Sequence, residues 1–238
     1  MKYVIHKANE RGIAEFGWLH SRHSFSFGEY YNPEKMGFGL LRVLNDDIIE
    51  AGEGFGTHPH NNMEIISIPL EGALEHKDSM GTGSVIMLGE VQVMSAGTGI
   101  THSEFNPSKV EKGKFLQLWI IPKERDIEPR YSQKSFDFNN LKNRIETLVT
   151  GSNSDSTLYI HQNAAVSIGC LDAVNKQSYK ILYNGNGAYL FVLDGNIKFK
   201  NVELGKRDAV GIYETDEFTF TASSDASFII VEVPMSIN

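Results

Sequence analysis

Alternation with a period of two is the feature that most restricts this chain. Ile197 and Phe199 alternate with Lys198 and Lys200, and Phe218 and Phe220 with Thr219 and Thr221. That is the pattern of a strand buried on one face. Short runs of similar character, bounded by glycine, asparagine or aspartate, recur at GLLRVL, DIIEAG, MEIISIPLEG, GALEHKD, GEVQVMSAG and FLQLWIIP. They continue at TLYIHQN, AVSIGCL, YLFVLDG, NIKFKNV, DAVGIYE, EFTFTA and SFIIVEV. Many short strands with frequent turns predict an all-β fold, a sandwich or barrel. The one helical period is in FNNLKNRIETLV, where Leu141, Ile145 and Leu148 at i, i+4 and i+7 predict a helix.

The chain also echoes itself. PLEGALEHKD and VLDGNIKFKN share an apolar residue, an acid, a glycine and then a strand, and each is followed by a second glycine turn, LGEVQVMSAG or LGKRDAVGIY. Two copies of one small β-barrel are therefore expected. We place them at residues 1–130 and 131–238, with the boundary inside the polar, proline-bearing stretch 123–156.

Bulk properties narrow the function. The net charge of −8 argues against binding a nucleic-acid backbone, which needs clustered Lys and Arg. Cys170 is the single cysteine, so no intramolecular disulfide can form, as suits a reducing cytoplasm. The charged start MKYVIHKANERG does not resemble a signal peptide, and no run approaches the roughly 18 apolar residues that span a bilayer. A cytoplasmic location without membrane contact is expected.

Two histidine pairs carry the chemistry. In GFGTHPHNNMEI, His58 and His60 stand two apart, and in a strand residues i and i+2 share a face. In SAGTGITHSEFNP, His102 and Glu104 repeat that spacing. Facing strands of a barrel can bring both pairs to one interior point. Three neutral imidazoles and a carboxylate suit first-row divalent metals such as Fe(II), Mn, Ni, Cu, Zn or Co. No thiolate takes part, so a closed structural zinc site is not expected. Four protein ligands on a six-coordinate metal leave two positions for substrate, water or dioxygen. Glu64, four after His60, is open as a fifth ligand, a proton acceptor beside the metal, or a salt-bridge partner. His20 and His23 are candidates for an entrance to the site, whereas His6, His76 and His161 read as isolated. Trp18 and Trp119 read as core.

On these residues the chain resembles the pirin family, whose members are bicupins, and is most similar to the bacterial pirin-like proteins associated with quercetinase activity. The resemblance runs through FGWLHSRHSFSFGEYYNP, GFGTHPHNNMEI, LEGALEHKDSMG, MSAGTGITHSEFNPS and LWIIPKERDIEPRY, covering essentially residues 1–135. It implies two tandem cupin barrels of jelly-roll type. It places metal ligands at His58, His60, His102 and Glu104, and Glu64 beside rather than on the metal. No H-x-H occurs near NGNGAYLFVLDG, so the second barrel is expected to lack a metal.

The resemblance implies a quercetin 2,3-dioxygenase that opens a flavonol ring with O2 and releases carbon monoxide. Glu104 is the first candidate for the catalytic proton acceptor and Glu64 the second. An apolar, aromatic pocket is expected for a flat polyphenol, with Phe25, Phe27, Phe38 and Phe55 as candidate walls. The alternative it implies is a pirin-like, redox-responsive protein-binding or transcriptional cofactor without catalysis. A monomer is expected in either case.

Overall fold

The computed structural model describes residues 1–236. Four sheets form two similar units. In the first, a seven-stranded antiparallel sheet runs Arg130–Ser135, Glu90–Ser95, Glu64–Glu71, Gly113–Ile120, Leu41–Ile49, Leu19–His23 and Gly12–Glu15 in spatial order. A four-stranded sheet, Gly54–His60, Ile100–Phe105, Ala73–Asp78 and Gly83–Met87, packs on it through Leu19, Ile49, Leu74, Ile86 and Phe115.

The second unit repeats the plan. Its larger sheet runs Lys2–His6, Ala209–Tyr213, Asn186–Asp194, Ala226–Pro234, Ala165–Leu171, Arg144–Thr150 and Leu158–Tyr159. Its smaller one runs Lys176–Lys180, Glu217–Ala222, Ile197–Phe199 and Val202–Leu204. The echo between PLEGALEHKD and VLDGNIKFKN is thus a repeat of one all-β barrel architecture, a bicupin. GLLRVL and DIIEAG contribute to one strand, Leu41–Ile49.

The chain termini of the two units cross over. Lys2–His6, the first strand, pairs with Ala209–Tyr213 in the second unit, and Arg130–Ser135 pairs with Glu90–Ser95 in the first. The division expected between residues 130 and 131 therefore falls at the beginning of a strand that completes the first sheet.

The two large sheets meet back to back. Ile66, Ile68, Leu116 and Leu118 from one join Val166, Ile229, Val231 and Val233 from the other in a single core, all fully buried. Each such side chain contributes about 1.5–3 kcal/mol relative to exposure. Alternate residues of the same strands point the other way, into the first barrel. There the register lines up His23, Asn45, Gln117, Ser67 and Gln92 across five strands. A row of polar side chains inside a barrel is a costly use of its interior unless each finds a partner.

The helix expected around Leu141, Ile145 and Leu148 does not form. Phe138–Asn140 makes a single 3-10 turn, and Arg144–Thr150 is a strand. Asn143 at φ +56° breaks any helix, and the segment is rich in β-branched residues. A register irregularity between Thr147 and Val149 leaves Leu148 and Val149 both buried, so the apolar spacing imitates a helical one. Among the described residues, no helix is long and apolar enough to cross a membrane.

Candidate metal centre

His58 and His60 lie on one face of Gly54–His60, and His102 comes from the neighbouring strand Ile100–Phe105, where it is the direct partner of His58. The two strands approach closely at Gly54, where a Cβ would stand 2.2 Å from the Glu104 carbonyl oxygen and 2.5 Å from the Phe105 Cα. Only glycine fits there. The three rings converge, with centroids 4.4 Å apart for His58 and His102 and 4.8 Å for each of the other pairs. Their ligand atoms all lie within 4.8 Å of one another.

The donor set fits a divalent metal. Nδ1 of His58 meets the Gly56 carbonyl at 2.8 Å, so that nitrogen carries the proton and Nε2 is left with its lone pair. Nε2 of His60 and of His102 are buried without a protein partner. Burial lowers the pKa of His60 to about 4, and burial together with the neighbouring imidazoles takes His102 to about 2. Both are neutral near pH 7, the form that binds metal.

Behind His102 stands a residue that read as isolated in the sequence. His76 is wholly buried, its Nε2 is 3.0 Å from Asp78 Oδ2, and its Nδ1 is 3.4 Å from His102 Nδ1. The Asp78 carboxylate, itself anchored by the Met80 and Thr82 amides, accepts the proton on His76 Nε2. His76 Nδ1 then accepts from His102 Nδ1–H, which leaves His102 Nε2 free for a metal. This chain fixes both tautomer and ring orientation. H-x-D at 76 and 78, with the same-face spacing of the ligand pairs, was the signal in the sequence.

Glu104 lines the same cavity as His58 and His60 but lies outside the group of three converging ligands. Pairing with the strand Gly54–His60 shifts between His102 and Glu104, so Glu104 falls opposite Phe55. The Ser67 hydroxyl donates to its Oε1 at 3.2 Å and the Gln117 amide to its Oε2 at 2.7 Å. Gln117 is held in turn by Trp119, whose Nε1–H donates to Oε1 of Gln117 at 3.1 Å. Burial raises the Glu104 pKa, with the Gln117 hydrogen bond opposing.

Glu64 does not join the histidines. It shares the back-to-back face with Ile66 and Ile68, opposite to Ser67, because strand residues alternate. The Ser95 hydroxyl donates to its Oε2 at 2.8 Å, and Arg130 and the backbone of His161 lie beside it. Four residues from His60 to Glu64 span a turn, and the parity of the new strand turns the side chain away from the metal.

A cavity of about 180 Å³ opens beside the imidazoles. Leu19, Phe27, Phe55 and Trp119 form its apolar walls, and Ser21, His23, Asn45 and Asp47 a polar one. Trp119 sets its edge against His60 at 4.8 Å, and Phe27 packs edge-on to Trp119 at 5.3 Å. Of the four phenylalanines expected here, Phe27 and Phe55 line the cavity, whereas Phe25 and Phe38 sit between the large sheets. Trp119 is a wall as well as a core residue. His23 lines the cavity, and His20 instead pairs with Glu15 and Glu50.

The corresponding place in the second barrel is filled by rings. Lys176–Lys180 and Glu217–Ala222 occupy the positions of the two ligand strands, slightly upstream of and well beyond NGNGAYLFVLDG. They supply Tyr179, Phe218 and Phe220, with centroids 5.5 and 6.0 Å apart. The Tyr179 hydroxyl donates to Glu232 at 3.0 Å. Among the described residues, the one metal-type cluster is in the first barrel.

Comparison with known proteins finds a separate family model for each half of the chain. A family model described as Pirin matches residues 6–120, and one described as Quercetinase C-terminal cupin domain matches residues 147–233. The chain is 42% identical over 230 residues to quercetin 2,3-dioxygenase of Escherichia coli K12, covering 97% of this chain and 98% of that one. It is 38% identical to a pirin-like protein of Caulobacter vibrioides, covering 93% and 95%. The crystal structure of the bacterial pirin YhhW from Escherichia coli in complex with nickel(II) superposes with a TM-score of 0.92 at 40% identity, covering 98% of this chain and 99% of that one.

Proposed function

The chain belongs to the pirin family, and on that premise we propose that it is a metal-dependent dioxygenase of the quercetin 2,3-dioxygenase type, cytoplasmic and monomeric. The observation that carries the reading is the convergence of three imidazoles, two of which, His58 and His60, line a cavity that is aromatic on one side and holds a buried carboxylate. That cavity favours a substrate over the protein-binding role, which would need no pocket at the metal.

His58, His60 and His102 hold the metal, with Glu104 as the fourth donor and Fe(II) as the ion. When bound, the metal supplies a Lewis-acidic centre that lowers the pKa of a coordinated hydroxyl. The rest is done by the chain. Glu104 accepts the proton of the flavonol 3-hydroxyl. A carboxylate offers about four lone-pair sites, so it can do so while Ser67 and Gln117 hold it. Phe27, Phe55 and Trp119 grip the ring and exclude water. The cavity is smaller than the roughly 300–1,000 Å³ of sites that enclose a whole drug-sized ligand, so one end of the flavonol enters and the remainder lies toward the mouth. One flavonol and one O2 give one carbon monoxide and one phenolic ester, which balances.

The test is the loss of quercetin absorbance under air with metal-stripped protein and with protein reloaded with Fe(II), Mn(II), Ni(II) or Cu(II). Consumption by reloaded protein alone supports the reading; intact quercetin with every bound metal contradicts it.

A further inference from the structure

The polar wall of the cavity has no task in the chemistry above. Ser21 and Asp47 are cross-strand partners, as are His23 and Asn45, so the four side chains form a compact square on Leu19–His23 and Leu41–Ile49. They retain only 1%, 3%, 4% and 3% of their surface respectively. Ser21 Oγ, Asp47 Oδ1, His23 Nδ1 and Asn45 Oδ1 all lack a protein hydrogen-bond partner, although all four residues line the cavity. Buried polar atoms are nearly always paired. Four exceptions on one patch, facing one space, point to a ligand that completes them.

The chemistry of the patch defines that ligand. Asn45 Oδ1 can only accept, Ser21 Oγ can donate or accept, and His23 Nδ1 does either according to tautomer. Burial lowers the pKa of His23 to about 4, so the ring is neutral near pH 7 and brings no charge. Phe27 packs edge-on to His23 at 5.1 Å and to Trp119 at 5.3 Å, which places an aromatic slot beside the polar square. A flat ring that carries hydroxyl groups satisfies both surfaces at once; an unsubstituted ring leaves the acceptors bare.

We propose that Ser21, His23, Asn45 and Asp47 form a hydroxyl-recognition subsite that selects flavonols hydroxylated on the ring entering the cavity. The subsite rests on the dioxygenase reading for the substrate class. It acts in binding, apart from the proton transfer assigned to Glu104.

The experiment is anaerobic equilibrium binding of quercetin and of 3-hydroxyflavone, which keeps the 3-hydroxyl and lacks the hydroxyls of the two outer rings, to metal-loaded protein. The parent protein is expected to prefer quercetin by at least about tenfold, as a site built to hydrogen-bond hydroxyls rejects the analogue lacking them. In Asn45→Leu and Asp47→Leu that ratio falls toward one, and in the milder Ser21→Ala it falls part of the way. The melting temperatures of the variants stay at or above the parent's, because the atoms removed have no protein partner. A parent without preference, or an undiminished ratio in folded variants, overturns the subsite. So does a lowered melting temperature in all three variants with the ratio intact, which assigns the square a structural role. Preferential binding of quercetin without oxygen uptake would leave the subsite standing and sink the dioxygenase reading, and a parent that binds neither flavonol overturns both.

Discussion

His58 and His102 stand opposite each other on neighbouring strands, with ring centroids 4.4 Å apart, although one belongs to H-x-H and the other to H-x-E. Neither strand contributes to the back-to-back core between the large sheets. His58→Ala and His102→Ala are therefore expected to abolish stoichiometric metal binding and leave the fold intact. Elemental analysis and circular dichroism check this; a full metal complement in either variant refutes the assignment.

His76 is the positioning residue behind that pair. His76→Ala is expected to weaken metal binding by about 10–100-fold, the usual cost of losing a partner that orients a ligand. Competition with a chromogenic chelator reads the affinity directly. An unchanged affinity would show that the Asp78–His76–His102 chain is packing alone.

How far was this legible in advance? Both histidine pairs were, because i, i+2 spacing declares a shared face whatever the register. The repeat was legible too, since acid-Gly turns recur. What escaped depends on pairing. Asn45, Gln117, Ser67 and Gln92 look like unrelated polar residues until the register sets them in one row. Glu64 was misjudged because the parity of its strand depends on the turn after His60. Leu141, Ile145 and Leu148 imitated a helix through a register irregularity, which periodicity cannot see. The crossing of Lys2–His6 into the second sheet left no local mark at all.

Glu104→Gln removes the proton acceptor while keeping a side chain of similar shape between Ser67 and Gln117. Turnover is expected to fall by about 10²–10⁴-fold, the range for losing a general base. A Glu104→Gln variant that holds metal and keeps kcat/KM within about tenfold of the parent's would exclude Glu104 as that base.

Asp47 gives a stability signature. Burial takes its carboxyl up to about 7 from an unfolded value near 3.8, with Asp46 and Glu104 adding to the rise and Arg11 opposing it. A raised folded pKa stabilises the fold below about 3.8, and that contribution is lost as pH rises through about 7. Its full size is on the order of 4 kcal/mol. Asp47→Asn is uncharged throughout, so its stability relative to the parent should increase between about pH 5 and pH 8. Urea unfolding at both values checks it, and a constant difference would contradict it.

The aromatic filling of the second barrel separates structure from chemistry. Phe218→Ala is expected to cost about 3–5 kcal/mol, as for other buried phenylalanines, and to leave one metal per chain. Loss of metal together with unchanged stability would mean that the second barrel contributes to the site.

The central claim is a metal-dependent ring opening at the three histidines. Its most direct measurement is oxygen consumption and carbon monoxide release per quercetin, made on Fe(II)-reloaded protein and on the same sample stripped of metal. We predict equimolar O2 uptake and carbon monoxide release that vanish on stripping. Oxygen uptake without carbon monoxide, or the same uptake after stripping, would contradict the account.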